Sequence, residues 1–165
     1  MPKKELFVSY VRNLIFGVED GLVSTVGLLS GIAVAGISQS AILLTGTVLI
    51  FVEAFSMAVG SFLSERSAEE YTVGNDVSPR YALTDGVIMF FSYFVSGLIP
   101  LAPYVFIATK NALPLSVALS LITLFILGIV SAKIFKTRLL RSGLRMFIVG
   151  GMAIGVGIMV GKWVG

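Results

Sequence analysis

The chain has 165 residues, of which 56% are hydrophobic and 13% charged, about half the charged share of a soluble domain. That deficit excludes an ordinary soluble fold, and the formal net charge of +3 says little about nucleic acid because the basic residues sit at the ends of apolar runs. With no cysteine there is no disulfide or thiolate chemistry; with no histidine, any metal must be held by carboxylate, carbonyl, amide, hydroxyl or methionine sulfur.

Residues 1–10 are polar and basic, and the apolar run after them is too long for a cleavable signal. Five segments reach the roughly 20 residues needed to span a bilayer: 12–36, 41–64, 82–107, 112–135 and 144–163. They lack the alternation of a barrel. The expectation is an all-α polytopic membrane protein, one five-helix transmembrane domain over residues 1–165. The links are a tight turn (GISQS, 36–40), a polar stretch at 65–80 ending in Ser78-Pro79, a short link at 109–111 and a basic run at 133–141. An N-terminus on the cytoplasmic side puts ten of the twelve Lys and Arg residues on that side and leaves Lys110 and Lys162 outside.

The first helix carries Asp20 on a stripe with Asn13, Gly17, Ser24, Gly27 and Gly31, counted at about 100° per residue. Glu19 lies about 100° off that stripe, placed either to face a different neighbour or to snorkel inward. The second helix repeats the pattern: Ser56, Met57, Gly60 and Ser64 fall within about 60° of Glu53. The third has Pro100 and Pro103 near its outer end, and the fourth is uniformly apolar. The fifth has Gly151, Gly155, Gly157, Gly161 and Gly165 at four-residue spacings that permit close helix approach.

A carboxylate at mid-bilayer depth costs about 2.5–3.5 kcal/mol on the translocon scale, so its default meaning is an ion or transport site. Counting from the charged ends, Asp20 and Met57 each lie about 12 Å deep, with Glu53 about 6 Å farther outward. Hard oxygens with one soft sulfur suit Fe2+ or Mn2+ better than Mg2+ or Ca2+. Asp20, Glu53 and Met57 are too few for full coordination, so a second copy, carbonyls or water must complete it. Each feature also has a plainer reading. Asp20 is then a structural carboxylate, Glu53 a protonated packing residue and Met57 core filler. Glu65, Glu69 and Glu70 become a solvated helix end rather than a cytoplasmic mouth, and Asp85 with Thr84 caps the third helix.

The stretches FGVEDGLVSTVGLLSGIA and EAFSMAVGSFLSERSAEEY, with SGLIPLAPY and the glycine-spaced final helix, resemble the vacuolar iron transporter family over nearly the whole chain. The resemblance implies a five-helix homodimer that moves Fe2+ or Mn2+ out of the cytosol in exchange for protons. It implies a path along the dimer interface, with Asp20 and Met57 as path residues and Glu53 as companion. Two departures stand out. Only about fifteen residues occupy the place of the cytosolic metal-binding domain of plant members, and Ser61 stands where a Glu follows the S-M-A-x-G motif.

The expected activity is therefore divalent-metal transport, with the metal as substrate and no permanently bound cofactor. Glu53, the deeper carboxylate, is the proton-coupling candidate, and Asp20 the standing ligand. Glu65, Glu69, Glu70, Asp76 and Asp85 would form a weakly attracting inner vestibule. The membrane would be the cell membrane in a prokaryote and the vacuolar or another internal membrane in a eukaryote. No phosphate loop or nucleophile motif points to an enzyme. The alternative is a non-transporting membrane assembly or regulatory protein on the same fold.

Overall fold

A computed structural model describes residues 3–73 and 80–165, and the side chains of 6–71 and 80–165; Asp76 and the Ser78-Pro79 turn lie outside them. Five α-helices run in order: α1 (Lys3–Val34), α2 (Gln39–Val73), α3 (Arg80–Phe106), α4 (Thr109–Ile134) and α5 (Leu139–Val164). All five are long and apolar enough to cross a membrane, and there is no strand among the described residues. The protein is an integral membrane protein.

The helices overrun the expected spans. The first starts at Lys3 rather than 12, the second runs to Val73 rather than 64, and the fifth starts at Leu139 rather than 144. Hydropathy sees only the bilayer-matched part, whereas Lys, Glu, Arg and Leu are good helix formers wherever they lie. In the extension of α2, Arg66 Nε donates to Glu70 Oε1 at 2.6 Å, an i,i+4 pair that favours helix.

The helices α1 and α3 form the centre. Each packs most extensively on the other; α3 also carries α2, and α1 also carries α5, while α4 fills the angle among α1, α3 and α5. Direct contact between α1 and α2 is sparse by comparison. The outer face of α2 is apolar and uncovered, through Leu44, Val48, Phe51, Val52 and Phe55, as a lipid-facing surface requires. Across α2 and α3, Phe51 meets Phe94 edge-on with ring centroids 4.9 Å apart.

Glycines set the closest approaches. A Cβ on Gly21 would lie 2.6 Å from the Tyr93 carbonyl oxygen of α3, and one on Gly31 would lie 2.7 Å from the Gly157 oxygen of α5. Gly157 and Gly161 return the contact onto the carbonyl oxygens of Gly27 and Gly31. The expectation of close packing holds for this pair of rows. Gly151 and Gly155 meet nothing within 4 Å among the described residues of the chain.

Two hairpins turn by the same device. After α1, Gly36 takes φ +77° and Ile37 N–H donates to Ile32 O at 3.2 Å. After α4, Lys136 takes φ 55° and Thr137 N–H donates to Ala132 O at 2.8 Å. Both are Schellman-type stops, in which the last-but-one position is left-handed and normally glycine. The hydrogen bonds between helices then fix register. Gln39 Nε2 donates to the Tyr104 and Ile107 carbonyls, holding the start of α2 to the end of α3, and Ser116 Oγ donates to Pro100 O at 2.7 Å. The bundle thus has one end bearing Arg12, Glu65, Arg80 and Arg141, here termed the basic end, and an opposite end bearing Gly36, Ile107 and Gly165.

Candidate functional site

Midway along the bundle, Asp20 of α1 and Glu53 of α2 are partly buried and close enough for their charges to act on each other. Among the described residues neither carboxylate is in an ion pair. The Tyr93 phenol of α3, wholly buried, lies in the field of both. Its hydroxyl shares a 2.6 Å hydrogen bond with Ser24 Oγ, which also lies 2.6 Å from the backbone oxygen of Asp20. Asp20 also lines a groove of about 800 Å³ between α1 and α5, walled by Val23, Gly27, Gly31, Val156 and Val160.

Met57 lies one turn from Glu53, toward the basic end, in a separate cavity of about 480 Å³ shared with Asn13, Phe16, Ser56, Met89 and Glu65. Asp20 and Met57 thus line different cavities, Asp20 in the field of Glu53 and Met57 beside Met89 and Phe16. The depth count took Arg12 and Glu65 as level because both mark a membrane edge. They do meet, at 3.7 Å, through the long and mostly exposed arginine side chain.

Glu65, Glu69 and Glu70 are not one solvated helix end. Only Glu70 is exposed, and it pairs with Arg66. The Glu65 side chain is 14% exposed and closes the Met57 cavity together with Arg12, and Glu69 is buried at 1%. The reason is that α2 stays helical past the apolar run, which turns Glu65 and Glu69, four residues apart, onto the packed face.

Asp85 also departs from expectation. It caps nothing: α3 begins at Arg80, and Thr84 Oγ1 donates back to Arg80 O. Asp85 is 1% exposed and accepts hydrogen bonds from Asn13 Nδ2 at 2.6 Å and from Ser9 Oγ at 3.0 Å. It ties the first turns of α3 to α1 and lies within the field of Glu65. Glu19, off the Asp20 stripe, faces Arg145 of α5.

Two residues of α3, Met89 and Tyr93, were not singled out from sequence. Their signal was available: Asp85, Met89, Tyr93 and Gly97 recur every four residues on one face, the face that packs against α1 and α2. Among the described residues no group of three Asp, Glu, His or Cys side chains is placed to hold a metal ion within one chain. The site within a chain is a carboxylate pair with a thioether cavity one turn away.

The VIT family model matches residues 11–76 and 68–162, so the two pieces meet at the α2–α3 junction. Vacuolar iron transporter 1 of Tulipa gesneriana is 25% identical over 203 aligned positions, covering 87% of this chain and 82% of its own. Vacuolar iron transporter 1 of Arabidopsis thaliana is 23% identical over 212 positions, covering 92% and 85%. Vacuolar iron transporter homolog 2 of Arabidopsis thaliana is 26% identical over 169 positions, covering 94% and 85%. The first two alignments are longer than the 165 residues of this chain, so those relatives hold residues within the matched region that this chain lacks. Matched from its first helix to its fifth, with the two pieces of the match meeting where the polar link is short, the chain belongs to the VIT family as one of its short forms.

Proposed function

We propose that the protein carries Fe2+ or Mn2+ across the membrane as a homodimer, out of the cytosol and in exchange for protons, past Met57, Glu53 and Asp20. The observation that carries this reading is the Asp20–Glu53 pair: two partly buried carboxylates midway along the bundle, each in the other's field, with no cation paired to them among the described residues. Such a pair is costly unless something positive is bound or protons are taken up. A second copy facing the first doubles two carboxylates to four, enough for a divalent ion, whereas within one chain no three such groups cluster among the described residues. The names of the relatives, all vacuolar iron transporters or their homologs, support iron as the cargo.

In this reading the basic end faces the cytosol. The ion arrives through the cavity of Met57, Met89 and Asn13, at whose mouth Arg12 and Glu65 meet. It then passes outward to the carboxylates. Tyr93, joined to Ser24, orients the α1 face that presents Asp20.

The test is initial-rate uptake of Fe2+, Mn2+, Co2+, Zn2+ and Ca2+ into proteoliposomes containing only this chain, with and without a proton gradient. Metal flux stimulated by the gradient is expected, with Fe2+ or Mn2+ preferred. Absence of flux for every ion would favour a non-transporting role. Glu53→Gln is expected to lower maximal flux and remove the stimulation, because the amide neither binds nor releases a proton. Undiminished coupling in that variant would move the proton-carrying role elsewhere.

Met57→Leu nearly conserves volume, and such swaps usually cost under about 1.5 kcal/mol of stability. The change replaces a polarizable sulfur by carbon, so Fe2+ uptake is expected to fall relative to that of harder cations while the thermal midpoint stays within a few degrees. An unchanged ion series would make Met57 a packing residue only.

A further inference from the structure

At the basic end, the turn between α4 and α5 encloses a cavity of about 470 Å³ lined by Thr137, Arg138, Arg141, Ser142 and Arg145. We propose that this cavity binds the phosphate headgroup of an anionic phospholipid. Three arginines and two hydroxyl residues, Thr137 and Ser142 with their oxygens 3.5 Å apart, line one open hollow, and guanidinium forks match phosphate oxygens bidentately. Among the described residues neither Arg138 nor Arg141 is in an ion pair, and the nearest described acidic influence, that of Glu19, falls on Arg145. The hollow is therefore rich in donors and poor in acceptors.

A topological charge signal alone does not account for the arrangement. Such a signal needs basic residues near the membrane edge and is indifferent to whether they line a concavity. Here they do, and a second feature points the same way. The left-handed position that stops α1 is Gly36, whereas the equivalent position before this cavity is Lys136 at φ 55°. A side chain is disfavoured there relative to glycine, and the chain carries one more cation at this corner in spite of it. The α5 N-terminus, at Arg138, has no side-chain cap, so its first amides lack a capping acceptor.

The apolar surroundings select a lipid over a soluble phosphate. Leu140 is 71% exposed and Leu144 50%, one turn apart on the helix that supplies Arg141 and Arg145. A headgroup held by the arginines places its acyl chains along that apolar row, as a basic pocket between helices at the membrane surface is suited to do. This inference is independent of the transport reading, since none of its residues lies on the proposed path.

The experiment compares the full chain with R138Q/R141Q and with a control double variant, K133Q/R80Q, that removes two charges from the same end outside the cavity. Arg145 is left in place because it also faces Glu19. Each protein is delipidated in detergent and titrated with phosphatidylglycerol, phosphatidylinositol phosphate, phosphatidylcholine or inorganic phosphate. Bound lipid is counted by native mass spectrometry, and thermal midpoints are measured in parallel. An acidic lipid is expected to bind the unaltered chain and the control alike, and to bind R138Q/R141Q roughly thirtyfold more weakly, the factor for two lost charges at about 1 kcal/mol each. R138K/R141K, which keeps charge but not the fork, is expected to fall between. Equal weakening in both double variants would overturn the proposal in favour of unspecific surface charge. Binding of inorganic phosphate without acidic lipid, or of phosphatidylcholine as tightly as phosphatidylglycerol, would also overturn it.

Discussion

Asp20→Asn is expected to reduce metal flux to background while leaving the chain folded. The amide has the carboxylate's shape, and no cation is stranded by the change, because none pairs with Asp20 among the described residues. The hydrogen bond made by Ser24 goes to the backbone oxygen of Asp20, which the substitution keeps. What is lost is a full negative charge where an ion must leave its water. Two unit charges 4 Å apart interact by about 4 kcal/mol at an effective dielectric of 20, equivalent to roughly a thousandfold in binding or rate. Thermal unfolding and size-exclusion profiles of the variant are expected to match the parent, and only proteoliposome flux is expected to collapse. Flux within a factor of about three of the parent, well short of that loss, would remove Asp20 from the path.

Gly157→Val is expected to be the most damaging substitution to the fold itself. Any Cβ at this position runs into the carbonyl of Gly27, and the Gly27 Cα would lie 3.3 Å away, so backbone rather than a movable side chain is in the way. Valine is a somewhat better helix former than glycine, a gain of a few tenths of a kcal/mol. Overpacking typically costs about 1–3 kcal/mol even where side chains can adjust, so the loss decides the sign. The seam between α1 and α5 must open, and the measurable result is a thermal midpoint lowered by several degrees or failure to recover monodisperse protein. Gly151→Val, on the same helix but with nothing opposite it in the chain, is the control and is expected to leave the chain's own packing intact. Equal loss in both would mean that the α1–α5 contact is not what the glycines serve.

The five spans were legible because length and apolarity are properties of each segment alone. Their ends were not, since the polar residues of 3–11 and 65–73 are invisible to a membrane scale yet continue the helices. Asp20 and Glu53 stood out as carboxylates on stripes of small residues, and α3 does place them within each other's field. What the sequence could not show is that Asp20 and Met57 line different cavities, since that depends on which helices flank each side of α1. Asp85 was illegible for a different reason. Its partners, Ser9 and Asn13, lie 76 and 72 residues away, and a local pattern read only the Thr84-Asp85 pair beside it. The same holds for Glu69, whose burial depends on a helix that the hydropathy count had already ended.

The central position of α1 has a consequence for how the protein is made. This helix is the most buried of the five and carries Asn13, Glu19 and Asp20, yet its main partners, α3 and α5, are synthesised after it. At ribosomal speeds of about 5–20 residues per second, α1 waits on the order of ten seconds for α3 and a similar time again for α5. During that interval its glycine rows have no helix against them and Asn13 has no Asp85 to donate to. The nascent α1 therefore spends that interval with its main packing face uncovered by the helices that bury it in the finished bundle. The arrival of α5, whose glycines fit only against an α1 already in register, is the step that closes the bundle.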